Sequence, residues 1–198
     1  MLDDGPSEPN LRRLRARGIP YLGTVKDNLG ALAGARYVVA VGDPAVRRRL
    51  VATLAVAGAR PHTLVHPSAV LGSEVRTGAG SVVCAGVQVS TNVTLGRHAH
   101  LNPGCIVGHD TVLGEFVSLN PGAILSGVCT VEDGVLVGAG ATVLQGLTLG
   151  AGSLVGAAAC VTRSVPPRAV ATGVPARWPD PPPPAPVMAE AASKERHT

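Results

Sequence analysis

The chain has 198 residues, enough for one large domain or two small ones. Charged residues make up 15% and aromatics 2%, while hydrophobic residues reach 45%, so Val, Leu, Ile and Ala must build the core. Four aromatics, Tyr21, Tyr37, Phe116 and Trp178, cannot supply the stacking platforms of a single-strand nucleic-acid binder. No apolar run reaches the roughly 18 residues of a bilayer span, and the acidic, polar start MLDDGPSEPN is no signal peptide. The expected location is therefore the cytoplasm, without a nucleic-acid or membrane partner. The net charge of +4 comes largely from Arg12, Arg13, Arg15, Arg17 and Arg47, Arg48, Arg49, which read as solvated faces.

The first 65 residues have α/β character. Tyr21-Leu22-Gly23 reads as a strand end, and 25–33 as a helix after it. Residues 37–41 (YVVAV) form a short buried strand. Gly42-Asp43-Pro44 turns the chain into a helix over 45–57, with Pro in the first turn and Gly58 just past the end. Residues 62–65 resume a strand. This is the material of a partial, Rossmann-like doubly wound domain over 1–65.

From Val65 the pattern changes to a period of six. Val65, Leu71, Thr77, Val83, Val89, Leu95, Leu101 and Val107 begin a column that runs unbroken to Val161, and from Leu71 onward only Thr77 is not aliphatic. Two residues before each aliphatic stand small or β-branched residues, Cys105 and Cys129 among them; Leu147 is the exception. Three residues after, ten of sixteen positions are Gly, Asn or Asp, the residues that tolerate positive φ. Six is neither the helical nor the strand period. It fits a β-solenoid of short strands with a corner every six residues, three hexapeptides to a triangular coil. Residues 71–163 then make roughly five coils, and the solenoid domain covers 66–178. The proline-rich segment 179–198 reads as a disordered tail.

Cys84, Cys105, Cys129 and Cys160 have no metal or disulfide spacing and read as small buried hydrophobes. His98 and His100 read as a pair flanking an exposed turn rather than as metal ligands, because no third ligand follows at a suitable spacing. No metal is expected. His66 leads into the first coil.

Several segments in order resemble the NeuD/PglD-type sugar acyltransferases: GIPYLGT (18–24), VVAVGDPAVRRRL (38–50), HPSAVLG (66–72), VGHDTVLGEFVSLNPGA (107–123), VGAGATVLQGLTLG (137–150), VGAAACVTRSVP (155–166) and GVPAR (173–177). The resemblance covers about 3–178. It implies a mainly β fold, a left-handed parallel β-helix preceded by a small α/β nucleotide-sugar domain. It implies a homotrimer that uses acetyl-CoA to acetylate an amine or hydroxyl of a nucleotide-linked or sialic-acid-like sugar by direct transfer. On the family's pattern His109 is the general base, Asp110 orients it, and the Gly127 N–H is the oxyanion donor. Gly127, Gly138, Ala139, Gly156 and Ala157 would hold acetyl-CoA, and Asp3, Asp4, Gly42 and Asp43 would face the sugar nucleotide. By the hexad phase Asp110 also sits in the column of turn residues.

Two departures are visible. Ser118 stands where many members have a second His, which bears on substrate contacts. The family's first strand and Gly-rich turn precede an Asp pair, and this chain starts at that pair, Asp3-Asp4. The α/β part is therefore expected to show an exposed apolar face or strand edge, with the start mis-assigned or the gene truncated. The competing reading is a non-catalytic trimeric scaffold that has lost its nucleotide-sugar site. A zinc hydratase on the same solenoid would need a His trio that the spacing does not supply.

Overall fold

A computed structural model describes residues 1–179; the expected tail lies outside them but for Pro179. Every six residues the chain makes a two-residue strand, and every third strand stacks in parallel register. The result is three parallel sheets of seven, six and five strands, a β-solenoid of about six turns. Register steps by one coil, as in Val82↔His100↔Ser118 on the seven-strand face and Gln88↔Ile106↔Ile124 on the six-strand face.

The solenoid is longer than the hexad count implies. At its start Leu64–Val65 pairs with Val82–Val83, so this strand belongs to the solenoid rather than to the α/β part. At its end the spacing drops by two residues between Val161 and Val165. Val165 nonetheless bridges Leu149, and Val170–Ala171 pairs with Leu154–Val155. The coil continues where the six-residue column breaks. Arg163 stacks 4.4 Å over the Trp178 ring at this end, and Trp178 packs against the core.

The interior matches the columns. Leu101, Val107, Leu119, Leu125, Val137, Val143 and Leu149 are fully buried, with Ala99, Cys105, Ala123, Cys129 and Ala141 beside them. Each such side chain contributes about 1.5–3 kcal/mol when Val or Leu sized. The corner column is left-handed from Glu74 to Ala158 whatever residue occupies it: Glu74, His98, Phe116, Val128 and Ala158 join the Gly, Asn and Asp positions. The coil imposes the turn, and glycine only relieves its cost. Cys84 and Cys160, expected inside, are only half-buried, because each is next to an inward aliphatic and so faces outward.

Before the solenoid, helix α1 (Glu8–Ala16) was not foreseen; Ser7 caps it by accepting from the Asn10 N–H, and none of its residues is buried. Helix α2 (Val25–Asn28) is capped by Thr24 and runs into a 3-10 turn, Leu29–Ala31. Strand β1 (Arg36–Tyr37) pairs in parallel with β2 (Arg60–Pro61). The expected strand 37–41 shrinks to this pair, since no second strand lies beside Val39–Val41 among the described residues. Helix α3 (Pro44–Val56) starts at Asp43, whose carboxylate accepts from the Val46 N–H. Ile19, Tyr21 and Leu22 remain exposed.

The α/β part docks on the seven-strand face through Arg47, which the sequence reading placed on a solvated face. Arg47 is 1% exposed. Its guanidinium donates to the carbonyls of Val41 and Gly42 on one side and of His98 and Phe116 on the other, and to Ser118 Oγ. Burial lowers its pKa to about 10, so it stays charged at neutral pH. A helix in water can show three consecutive arginines and bury one of them, because a face is set by spacing and not by the run. No helix among the described residues is long and apolar enough to cross a membrane.

Candidate active site

An 18-residue coil places residues i and i+18 on the same corner. At the edge between the six-strand and five-strand faces, one column reads Ser73, Thr91, His109, Gly127, Gln145, Arg163. The next reads Glu74, Asn92, Asp110, Val128, Gly146, Ser164. Backbone bonds tie each corner to the one before: the N–H groups of Asn92, Asp110, Val128 and Gly146 donate to the carbonyls of Ser73, Thr91, His109 and Gly127.

His109 and Asp110 stand on this edge, both about half exposed. His109 Nδ1 lies 2.7 Å from Asp110 Oδ2, and Asn92 Nδ2 donates to Asp110 Oδ1 at 2.6 Å. The Asn92 bond, with the His109 bond after it, holds the Asp110 carboxyl below its ordinary pKa. A carboxylate on Nδ1 leaves Nε2 as the free ring nitrogen, the arrangement of a general base. Nε2 points toward the next coil, where a Cβ on Gly127 would come within 2.6 Å of it. Gly127 is the single glycine in its corner column. Its N–H donates to no protein group among the described residues, so a free donor sits beside the His109 imidazole.

The expected acetyl-CoA residues fall in two places. Gly127 shares the His109 edge. Gly138, Ala139, Gly156 and Ala157 lie together on a different edge, between the seven-strand and six-strand faces, where the coils are so close that a Cβ on Gly138 would come within 2.5 Å of the Ala157 nitrogen. Within one chain the fold does not unite these four with His109.

The expected sugar-side residues have local partners. Asp3 accepts from the Gly5 N–H and Asp4 from the Val25 N–H. Asp43 caps α3, and the Gly42 carbonyl accepts from Ser118 Oγ at 2.8 Å and from Arg47. Ser118 is thus buried in the seam between the two parts of the chain.

His98 and His100 are also not on an exposed turn. His98 is 2% exposed, stacked between Tyr37 and Phe116, and His100 is buried beside it. The α/β part covers this edge, which no local pattern at 98–100 announces. Asn92 went unremarked in the sequence, although the register could have found it: it stands one coil before Asp110 in the same column.

The stacked two-residue strands define a hexapeptide-repeat β-helix, and the His109–Asp110 pair stands on one of its edges. No family model matches the chain. Over 71 residues it is 35% identical to the GDP-perosamine N-acetyltransferase of Escherichia coli O157:H7, a match spanning 36% of this chain and 32% of that relative. A histidine-to-asparagine variant of perosamine N-acetyltransferase from Caulobacter crescentus, solved with CoA and GDP-perosamine, is 35% identical with a TM-score of 0.79, covering 82% of this chain and 79% of that one. WeeI from Acinetobacter baumannii AYE is 32% identical with a TM-score of 0.81, over 89% of this chain and 84% of its own. The acetyltransferase domain of PglB from Neisseria gonorrhoeae FA1090, solved with acetyl coenzyme A, is 31% identical with a TM-score of 0.79. The chain belongs to the hexapeptide-repeat β-helix family of sugar N-acetyltransferases.

Proposed function

We propose that this protein transfers the acetyl group of acetyl-CoA to the amine of a nucleotide-linked amino sugar. The observation that carries the reading is the His109–Asp110 pair at 2.7 Å, with the Gly127 N–H, which has no protein acceptor among the described residues, beside the same imidazole. The sugar amine attacks the thioester carbonyl carbon and loses a proton to His109 Nε2. Asp110 holds the Nδ1–H tautomer and stabilises the imidazolium. The Gly127 N–H donates to the oxyanion, which collapses and expels the CoA thiolate. The thiolate then takes the proton from His109. Asp3, Asp4, Gly42 and Asp43 are the candidates for the sugar-nucleotide side.

Gly138, Ala139, Gly156 and Ala157 sit on another edge than His109, so an acetyl-CoA that touches both sets lies between two copies of the chain. This supports a homotrimer with its sites at subunit boundaries. We take the hand of the coil as left, as the resemblance implies, the α/β part as a partial Rossmann-like domain, and the cytoplasm, where acetyl-CoA is available, as the location.

The test is thiol release from acetyl-CoA with a panel of nucleotide-linked amino sugars, GDP-perosamine included. Wild type should turn over at least one of them, and His109→Ala should lose about 10²-fold or more in kcat. Activity that survives His109→Ala overturns the base assignment. A trimer that releases no thiol with any sugar replaces the reading by a scaffold.

A further inference from the structure

A carboxylate that orients a histidine must itself be oriented, and Asp110 is too exposed to be held by packing. Its two oxygens are nevertheless both assigned. Oδ2 faces His109 Nδ1, and Oδ1 accepts the Asn92 amide from the preceding coil. Asn92 is in turn anchored by its N–H to the Ser73 carbonyl at 2.9 Å, and its neighbour Thr91 bonds Ser73 through both hydroxyls at 2.7 Å. The chain Ser73, Asn92, Asp110, His109 thus climbs one edge coil by coil.

We propose that Asn92 is a positioning residue for the acetyl transfer, fixing the Asp110 carboxylate by the Nδ2–H to Oδ1 bond so that Oδ2 stays on His109 Nδ1. The role rests on the reading of His109 as the base and adds a third member to its relay. On the opposite side Asp110 meets Val128, which offers no side-chain donor. Asn92 is therefore the one side-chain amide on this corner column able to hold that oxygen. The lowered pKa of Asp110, to which the Asn92 bond contributes most, is the electrostatic counterpart of this geometry.

Asn92 has φ +56, so removing its side chain with alanine would strain the corner. Asn92→Gly keeps the turn and deletes the amide. Asn92→Asp keeps size and turn but cannot donate. The full chain is studied in both variants by carbon NMR titration of the Asp110 carboxyl and by steady-state kinetics across pH, with His109→Ala alongside.

In Asn92→Gly the Asp110 carboxyl should titrate at higher pH than in wild type. In Asn92→Asp it should move further up, because two carboxylates then share the corner. Both variants should keep the wild-type melting temperature within a few degrees. Both should lose about tenfold in kcat with little change in KM for acetyl-CoA, a fraction of the total acid–base contribution. An Asp110 titration unmoved in Asn92→Gly overturns the proposal. So does a full kcat in that variant while His109→Ala is inactive. If His109→Ala is itself fully active, the base reading falls and the proposal falls with it.

Discussion

The imidazole of His109 lies against the Cα of Gly127, one coil further along the same edge, so closely that a Cβ there would sit 2.6 Å from Nε2 and 2.7 Å from Cε1. This contact makes Gly127 more than a source of an N–H group. Its φ is not left-handed, so alanine is allowed by the backbone, and the nearest obstacle is the His109 ring. Gly127→Ala should therefore fold normally but swing the imidazole off its seat. We expect kcat to fall about 10- to 100-fold, with the melting temperature within a few degrees of wild type. A crystal structure of the variant with an unmoved imidazole and full activity would contradict this.

Arg47 is the second test. Replacement by Met fills the volume but leaves the carbonyls of Val41, His98 and Phe116 and the Ser118 hydroxyl short of a donor, while the Gly42 carbonyl keeps the Ser118 hydroxyl. The expected loss at the seam is about 3 kcal/mol or more. The apolar cluster of Val39, Val51, Leu54, Ala59 and Phe116 is separate from the solenoid core, which contains the Trp178 contact. In a urea titration of Arg47→Met, the helical circular-dichroism signal should melt well before Trp178 fluorescence changes. A single shared transition at the wild-type midpoint would count against the seam.

Stability should also depend on His98. Its burial, with Arg97 and Arg47 nearby, lowers its pKa to about 4. The unfolded chain binds this proton near pH 6.5, so between those values the unfolded state holds more protons and stability rises with pH. The contribution is complete above about pH 6.5 and is lost as pH falls through about 4; it amounts to about 3 kcal/mol. His98→Asn, which suits φ +56, should flatten that slope. Urea midpoints at pH 7 and pH 4.5 for the two proteins give the answer, and equal slopes would refute the assignment.

These residues also mark what local pattern can and cannot carry. The six-residue column placed Leu101, Val107 and Leu119 inside and put His109 and Asp110 on a corner, because a solenoid repeats one environment with one period. It stopped at Val161 since a two-residue deletion before Val165 hides the continuing coil. The burial of Arg47, His98 and Ser118 has another origin. It comes from one part of the chain folding back on another, with partners 51 to 71 residues away from Arg47. No window around any of them records that. Asn92 was within reach of the register, but its meaning lies in a bond across one coil and not in its neighbours along the chain.

Val128 is where the solenoid's geometry and the residue in it disagree most. It sits beside Gly127 at φ +62 with 54% of its surface exposed, a β-branched side chain in the left-handed corner with little burial in return. Its N–H still donates to the His109 carbonyl at 2.7 Å, so the backbone is held in place by the ladder. Such a residue costs about 1–2 kcal/mol relative to one that tolerates positive φ. Val128→Asn should recover about 1 kcal/mol, read as a higher urea midpoint with an unchanged m-value. Val128→Gly should recover less, because glycine also loosens the unfolded chain. If either substitution lowers stability instead, the exposed valine is making contacts worth more than its strain, and the edge beside His109 would be covered in the folded assembly.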